Sequence, residues 1–404
     1  MTEPRPILDG LKVVDMTQYL AGPTVTRLLA EAGASVVKIE QPPYGDPTRS
    51  LAVVSDGRSG YFIQQNHGKR SLCIDFDDPR GREVLDKLIA EADVFVENYG
   101  PGVLARRGLD HDSLLAKHPR LIVATVSGFG RDSAYSEKVA FDLIAMAYSG
   151  MLHITGEPDR SPVMVGTSIA DVMSGVHTVA GIGLALYHRE RTGRGQHIDI
   201  SMVDSMFHAH ELAIQGHSIT KGKWRQKRSG SKSALNSPQG IYKAPEGYIV
   251  LQVMPSQWPS ICRAMGMPEL EHDERFADLK GRHKNRGELN AIVEEWLATH
   301  TTDAEVLAKL EEARVPCAPV LDPADAIGHP YFESRRAIRR INDPIIGEVI
   351  IPGNPLRFSE FPFDLEQVAP LLGEHNAEVL GELGYAADTI SALAEAGVLR
   401  SADR

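Results

Sequence analysis

Cysteine is scarce: Cys73, Cys262 and Cys317 are all that 404 residues contain, scattered and never in a C-x-x-C pair. Such a set supports neither a disulfide framework nor a zinc cage, and it points to a reducing, cytoplasmic setting. Positive charge is also short, with 43 Lys and Arg against 54 Asp and Glu, a formal balance of −11. Nucleic-acid surfaces need clustered cations, so no nucleic-acid partner is expected, whereas a small anionic ligand needs only local islands of charge. No uninterrupted apolar run reaches the roughly 18 residues of a membrane span, and residues 1–6 lack the apolar stretch of a secretory signal. Neither membrane attachment nor a leader is expected. Two nucleotide signatures are missing as well: there is no phosphate loop, and no G-x-G-x-x-G follows a strand.

What is present reads as a globular protein. Hydrophobic residues make up 42%, and the length calls for two domains. Short β-rich runs at 11–16, 35–40, 71–76, 94–98 and 121–127 alternate with helical patterns at 23–32 and 79–92. In the latter, Asp78 can cap, Pro79 suits the first turn, and Val84, Leu85, Leu88 and Ile89 share a face. This alternation predicts an α/β fold with a Rossmann-like, doubly wound parallel sheet. A long helix is expected from Asp171 to about Arg191, closed by Thr192-Gly193-Arg194-Gly195-Gln196, with a strand at 197–202. Residues 221–237 turn to Lys, Arg, Ser and Gly and read as a linker or mobile loop. A hairpin at 240–253 then opens a smaller α+β domain. The expected division is a large domain of residues 1–220 and 335–404 and a small one of 221–334, with helix at 371–393 packing back on the large domain.

Several features allow a plain and a functional reading. Gly181-Ile182-Gly183 lies inside the long helix, where glycine ordinarily permits close packing. His208 and His210 stand two apart, so on a helix their rings diverge and no metal site is expected. Lys38 with Arg49, Lys69-Arg70 and Arg106-Arg107 form basic islands near strand ends, where ligands of such sheets gather. Each island is also an ordinary solvated surface feature. Asp171 is the only charge in Gly166-Thr167-Ser168-Ile169-Ala170-Asp171-Val172-Met173-Ser174-Gly175. Read locally, it is either a helix cap or a carboxylate nucleophile with small neighbours that admit a substrate.

Taken in order, Ala21-Gly22-Pro23, Val37-Lys38-Ile39-Glu40 with Gly45-Asp46, Lys69-Arg70-Ser71, Val96-Glu97-Asn98-Tyr99-Gly100-Pro101-Gly102 and Ile169-Ala170-Asp171 leading to Thr192-Gly193-Arg194-Gly195-Gln196 resemble the motifs of the class III CoA-transferases, the formyl-CoA transferase type. The resemblance runs from Leu8 to His375. It implies a CoA-transferase in which Asp171 is the nucleophile and Asp142 an acidic residue beside it. Coenzyme contacts would come from Asn98, Tyr99, Arg106, Lys138 and the Tyr19-Leu20-Ala21 turn, with Ile74 at an apolar position against the adenine. Gly230, in a lid at about 228–236, would supply an oxyanion donor. No permanently bound cofactor is implied; the substrates are an acyl-CoA thioester and a small carboxylic acid, dicarboxylates such as succinate included. Members are homodimers of interlocked rings.

The resemblance also implies a route through an aspartyl anhydride and an aspartyl-CoA thioester. With an ordinary carboxylate pKa of about 3.9, Asp171 would be ionised at neutral pH without a base. Three positions depart from the formyl-CoA transferase pattern: Gln41 replaces an arginine, Leu20 replaces a glutamine, and the glycine run of the lid is reduced to Ser229-Gly230-Ser231. The alternatives are a non-catalytic acyl-CoA-binding protein and an α-methylacyl-CoA racemase. The racemases are similar in sequence but carry a histidine where Phe141 stands, and a phenyl ring moves no proton.

Overall fold

The computed structural model describes residues 5–361 and 367–402; residues 1–4 of the segment read above for a leader lie outside them. The chain divides into two compact units: Met1–Gly150 with Val165–His210 and Pro330–Arg404, and Met151–Met164 with Glu211–His329.

The first unit is built on six strands, β1 (Lys12–Met16), β2 (Ser35–Glu40), β3 (Arg70–Cys73), β4 (Val94–Glu97), β5 (Ile122–Ser127) and β6 (His197–Ser201). They lie in the order β3-β2-β1-β4-β5-β6, and every pairing is parallel. Strand order reverses at β1, so a crevice opens between the carboxyl ends of β1 and β4, the place where open α/β sheets receive ligands. The helices used below are α1 (Ala21–Glu31), α2 (Gly60–Asn66), α3 (Pro79–Ala90), α4 (Asp142–Tyr148), α5 (Ile169–Thr192) and α6 (Met202–His208). The central strands are sealed on both faces: Val14, Phe95 and Val123 on one face and Val13, Val94 and Ile122 on the other are at most 2% exposed, as parallel strands between helical layers require.

Most boundaries follow local chemistry. Asp78 accepts from the Arg80 N–H and opens α3 with Pro79 in its first turn. Gly193, at φ +72°, closes α5, and Gly195 follows because a Cβ there would lie 1.9 Å from the Leu121 carbonyl oxygen. Two expectations shift. Helix α1 begins at Ala21, since the Thr24 N–H already bonds the Leu20 carbonyl; Pro23 sits inside the first turn, where its missing donor is harmless. Strand β3 ends at Cys73: the Ile74 N–H still donates to the Glu40 carbonyl of β2 at 2.9 Å, but Ile74 also bridges Leu399 and the Asp75 N–H turns to Val398.

The basic islands also change character. Lys38 and Lys69 are buried. The Lys69 ammonium contacts Asp15, Asn66 and the Pro23 carbonyl at 2.9, 2.9 and 3.2 Å. Lys38 bonds the Thr17 carbonyl at 2.8 Å and Asp46 at 2.9 Å. Burial pushes the Asp15 carboxyl up, but Lys38, Lys69, Thr17 and Thr26 outweigh it and hold it at about 2. Arg49 pairs with Glu40, Arg70 with Glu378 and Glu382, and Arg107 with Asp77. These cations are structural, because carboxylates already neutralise them.

The second unit has an antiparallel sheet of Gln239–Lys243, Tyr248–Gln252 and Cys317–Pro319, covered by helices whose core includes Trp258, Phe276, Trp296 and Leu310. Residues 151–164 belong to this unit, although the sequence placed them in the large domain. The reason is Arg228, whose guanidinium donates to the carbonyls of His153, Glu157 and Arg160 at 3.0–3.2 Å. The stretch read as a mobile linker is therefore fastened at Arg228.

Candidate active site

A cavity of about 200 Å³ occupies the crevice between β1 and β4. The turn after β1, Gln18 to Ala21, forms one wall, and Asn98 to Pro101 after β4 forms the next. Asn98 ties the two together: its Oδ1 accepts from the Gln18 N–H and its Nδ2 donates to the Gln18 carbonyl, both at 2.8 Å. Gly22 is needed beneath this bridge, because a Cβ there would meet Thr17 at 2.5 Å and the Asn98 amide carbon at 3.0 Å. Tyr19 turns the chain with φ +65°, and its ring meets Phe141 edge-on at 5.9 Å. Strain of this kind gathers at functional sites.

Asp171 enters the same cavity from the start of α5. It does not cap the helix. Ser168 holds the cap position, and Asp171 lies in the first turn. Its carboxylate forms no ion pair among the described residues. Burial, with Asp142 beside it, pushes its pKa up to about 7, so in the free enzyme it is only partly ionised at neutral pH. This corrects the expectation drawn from the ordinary carboxylate value, which assumes a solvated group.

Of the residues marked in the sequence, Tyr19, Leu20, Ala21, Asn98, Tyr99, Lys138 and Asp171 line the cavity. Asp142 stands directly behind Asp171, accepting from the N–H groups of Ala170 and Asp171. Arg106 lies in the short helical turn Ala105–Arg107 beyond the Asn98–Gly102 loop, and among the described residues it has no carboxylate partner. It is the one cation of the three basic islands left unpaired. Two other marked residues are engaged elsewhere. Ile74 is fully buried in the core cluster that also holds Leu399, and it does not line the cavity. The Gly230 N–H is already donated to the Gly156 carbonyl at 3.0 Å, so it is no free oxyanion donor.

Arg131 and Tyr61 carried no sequence signal. The guanidinium of Arg131 supports the Tyr99 loop by donating to the Tyr99 carbonyl at 2.7 Å and to Glu97 at 3.1 Å. The Lys138 ammonium lies 3.8 Å from the Tyr135 ring centre and bonds the Tyr148 hydroxyl at 3.1 Å, so aromatic rings hold it without a carboxylate. Tyr61 faces the two acids; burial, then Asp171, Asp46 and Asp142, push its hydroxyl up to about 12. His208 and His210 diverge, the first edge-on to His177 and the second bonded to the Ser149 carbonyl.

The arrangement provides a mostly buried carboxylate at the switch point of the sheet, in a cavity whose wall also carries an ammonium held by aromatic rings. Comparison with known proteins agrees with this chemistry. Formyl-CoA:oxalate CoA-transferase of Streptomyces avermitilis is 35% identical over 97% of this chain and 99% of its own length. Succinyl-CoA:mesaconate CoA-transferase of Haloarcula hispanica is 37% identical over 95% of this chain and 98% of its own. The crystal structure of a CaiB/BaiF family protein from Brucella suis superposes with a TM-score of 0.82 at 36% identity, covering 93% of this chain and 99% of that one. The profile of CoA-transferase family III matches residues 8–376, and the chain belongs to that family: it is a class III CoA-transferase.

Proposed function

We propose that this enzyme moves coenzyme A between carboxylic acids through covalent intermediates on Asp171. The observation that carries the reading is the unpaired, mostly buried Asp171 carboxylate at the end of the cavity. An oxygen of ionised Asp171 attacks the thioester carbonyl, the C–S bond breaks, and coenzyme A leaves as its thiolate, giving a mixed anhydride. The thiolate then attacks the aspartyl carbonyl and breaks the anhydride C–O bond, which frees the first acid and leaves an aspartyl-CoA thioester. An acceptor carboxylate attacks that thioester and expels the thiolate. The thiolate adds to the acceptor's carbonyl, and Asp171 leaves as carboxylate. No proton is transferred in any step, so the route needs no histidine; Phe141, on the cavity wall, supplies none.

The coenzyme would lie along the Asn98–Pro101 wall, with Lys138 and Arg106 against its anionic parts. Tyr19, Leu20 and Phe141 make the surroundings of the acyl group apolar, which favours acids larger or less polar than formate and oxalate. The working form is a homodimer. Along α5, Val176, Leu184 and Tyr187 are 47%, 73% and 64% exposed, an apolar face that a second copy would cover. The same face gives α5 the length and hydropathy of a membrane span, yet the helix carries Asp171 and packs on α1 and the sheet. The soluble, cytoplasmic setting read from the cysteines fits this assignment.

The test is direct. Formyl-, acetyl- and succinyl-CoA are assayed against mono- and dicarboxylates with the wild-type protein and Asp171→Ala. Exchange that vanishes in the variant, with hydroxylamine trapping on Asp171 in the wild type, supports the route. An active Asp171→Ala sinks it.

A further inference from the structure

Resting on the reading of Asp171 as nucleophile, we infer that Asp142 is a positioning residue: it caps α5 from a neighbouring helix and so fixes the direction in which the Asp171 side chain enters the cavity.

The argument begins with the backbone donors that a helix start leaves unpaired. The usual remedy is a side chain at the cap position, but Ser168 makes no such bond. In α5 the Ile169 N–H goes to the Thr167 carbonyl at 3.0 Å, and the Val172 N–H closes the first intrahelical bond to Ser168 at 3.2 Å. Between them stand Ala170 and Asp171, whose N–H groups both point at Asp142 Oδ1, at 2.7 and 3.3 Å. Every donor of the first turn is thereby accounted for. None is left to bind an oxyanion, and none is left to bend toward the Asp171 carboxylate itself. Ala170 is fully buried, so its N–H has no water to turn to if Asp142 is removed.

The bond to the Asp171 N–H couples the two acids through one residue's backbone. It holds the Asp171 Cα against α4, and the first turn then sets where its side chain points. The cap also brings a second carboxylate next to the nucleophile. The groups facing Asp171 are Asp142 from α4 and Tyr61 from α2, with Asp46 beyond Tyr61. Arg27 of α1 is tied to Glu31, and His177, further along α5, bonds the Met173 carbonyl while His208 of α6 rests against it. Lys138 of the cavity wall is held by Tyr135 and Tyr148, and among the described residues Asp142 is the one charge that shifts Asp171, so the capping charge works against ionisation of Asp171 while the capping oxygen aims it.

Two substitutions separate these effects. Asp142→Asn keeps an oxygen acceptor and removes the charge; Asp142→Ala removes both. Amide hydrogen exchange at Ala170 and Asp171 should quicken in the alanine variant and stay close to wild type in the asparagine variant. In activity, Asp142→Ala should lose on the order of 100-fold in kcat, the scale of a misaimed reacting group, while Asp142→Asn recovers to within about tenfold. The acidic limb of kcat/KM in Asp142→Asn should move about one unit to lower pH, the effect of removing a neighbouring like charge. Unchanged exchange in Asp142→Ala overturns the cap. Equal losses of kcat in both variants also overturn the inference, since the charge would then act in the chemistry itself. Neither result touches the assignment of Asp171, which stands or falls on Asp171→Ala; the exchange measurement reads the cap whatever the nucleophile is.

Discussion

Gly175 of α5 lies against Ala21 of α1 so closely that a Cβ on it would stand 3.1 Å from the Ala21 carbonyl oxygen and 2.7 Å from Thr24 Cγ2. This crossing brings the first turn of α5 to the Tyr19–Ala21 wall of the cavity, so the nucleophile and the channel share one packing contact.

Gly175→Val should therefore drive the two helices apart. Overpacking of this kind costs about 1–3 kcal/mol, and the displacement falls on Asp171. Thermal melting should show a folded but weakened protein, and steady-state assays a loss of kcat larger than the loss of stability would produce at the assay temperature. A variant with full kcat would show that the crossing does not set the site.

Activity should depend on pH through Asp171. Its carboxyl is held at about 7 by burial and by Asp142, and only the ionised form attacks. The expected kcat/KM profile rises tenfold per pH unit below that value and levels above it. A profile flat from pH 5 to 8 would place the titration elsewhere.

The same shift sets a stability change of defined sign. A carboxyl whose folded pKa is raised favours the folded state fully below its unfolded value near 3.8, and that contribution is lost as pH rises through about 7. Asp171→Asn should thus melt higher than wild type at pH 8, by on the order of 2 kcal/mol after allowance for partial solvent access. Near pH 4 the two should melt alike. Equal melting at pH 8 contradicts a strained, desolvated carboxylate.

Lys69 gives a purely structural prediction. Its ammonium contacts Asp15 at 2.9 Å inside the core, where burial draws its pKa down to about 8 against the opposing pull of Asp15. Lys69→Met leaves Asp15 with the Thr17 and Thr26 hydroxyls and Lys38 as its one neighbouring cation, and should cost about 3–5 kcal/mol, as when one member of a buried pair is removed. Urea denaturation measures it. A loss under 1 kcal/mol would mean that Asp15 is satisfied without Lys69.

Leu20 tests the acyl pocket. It lines the cavity while only 6% exposed, and Leu20→Gln puts an amide among apolar walls. The ratio of kcat/KM for oxalate over a medium-chain acid should rise by roughly tenfold, the scale of one polar contact. No change in the ratio would move the acyl group away from this wall.

The sequence by itself determined the layers and much of the chemistry. Strand–helix alternation, Asp78-Pro79 and Gly193 act within a few residues of themselves, so the sheet and the ends of its helices were legible. Asp171 stood out because it is the only charge among small residues. What tertiary structure decided depends on partners far along the chain. Lys38 and Lys69 read as solvated surface charges or as ligand-binding cations until Asp46 and Asp15 came to meet them. Ile74 stood as an implied ligand contact, and the fold buries it in the core cluster that also holds Leu399. Asp171 read as an ordinary, ionised acid, and possession of a carboxylate is indeed written in the residue. Its pKa is not, because that follows from the burial and the neighbouring Asp142 that only the fold supplies.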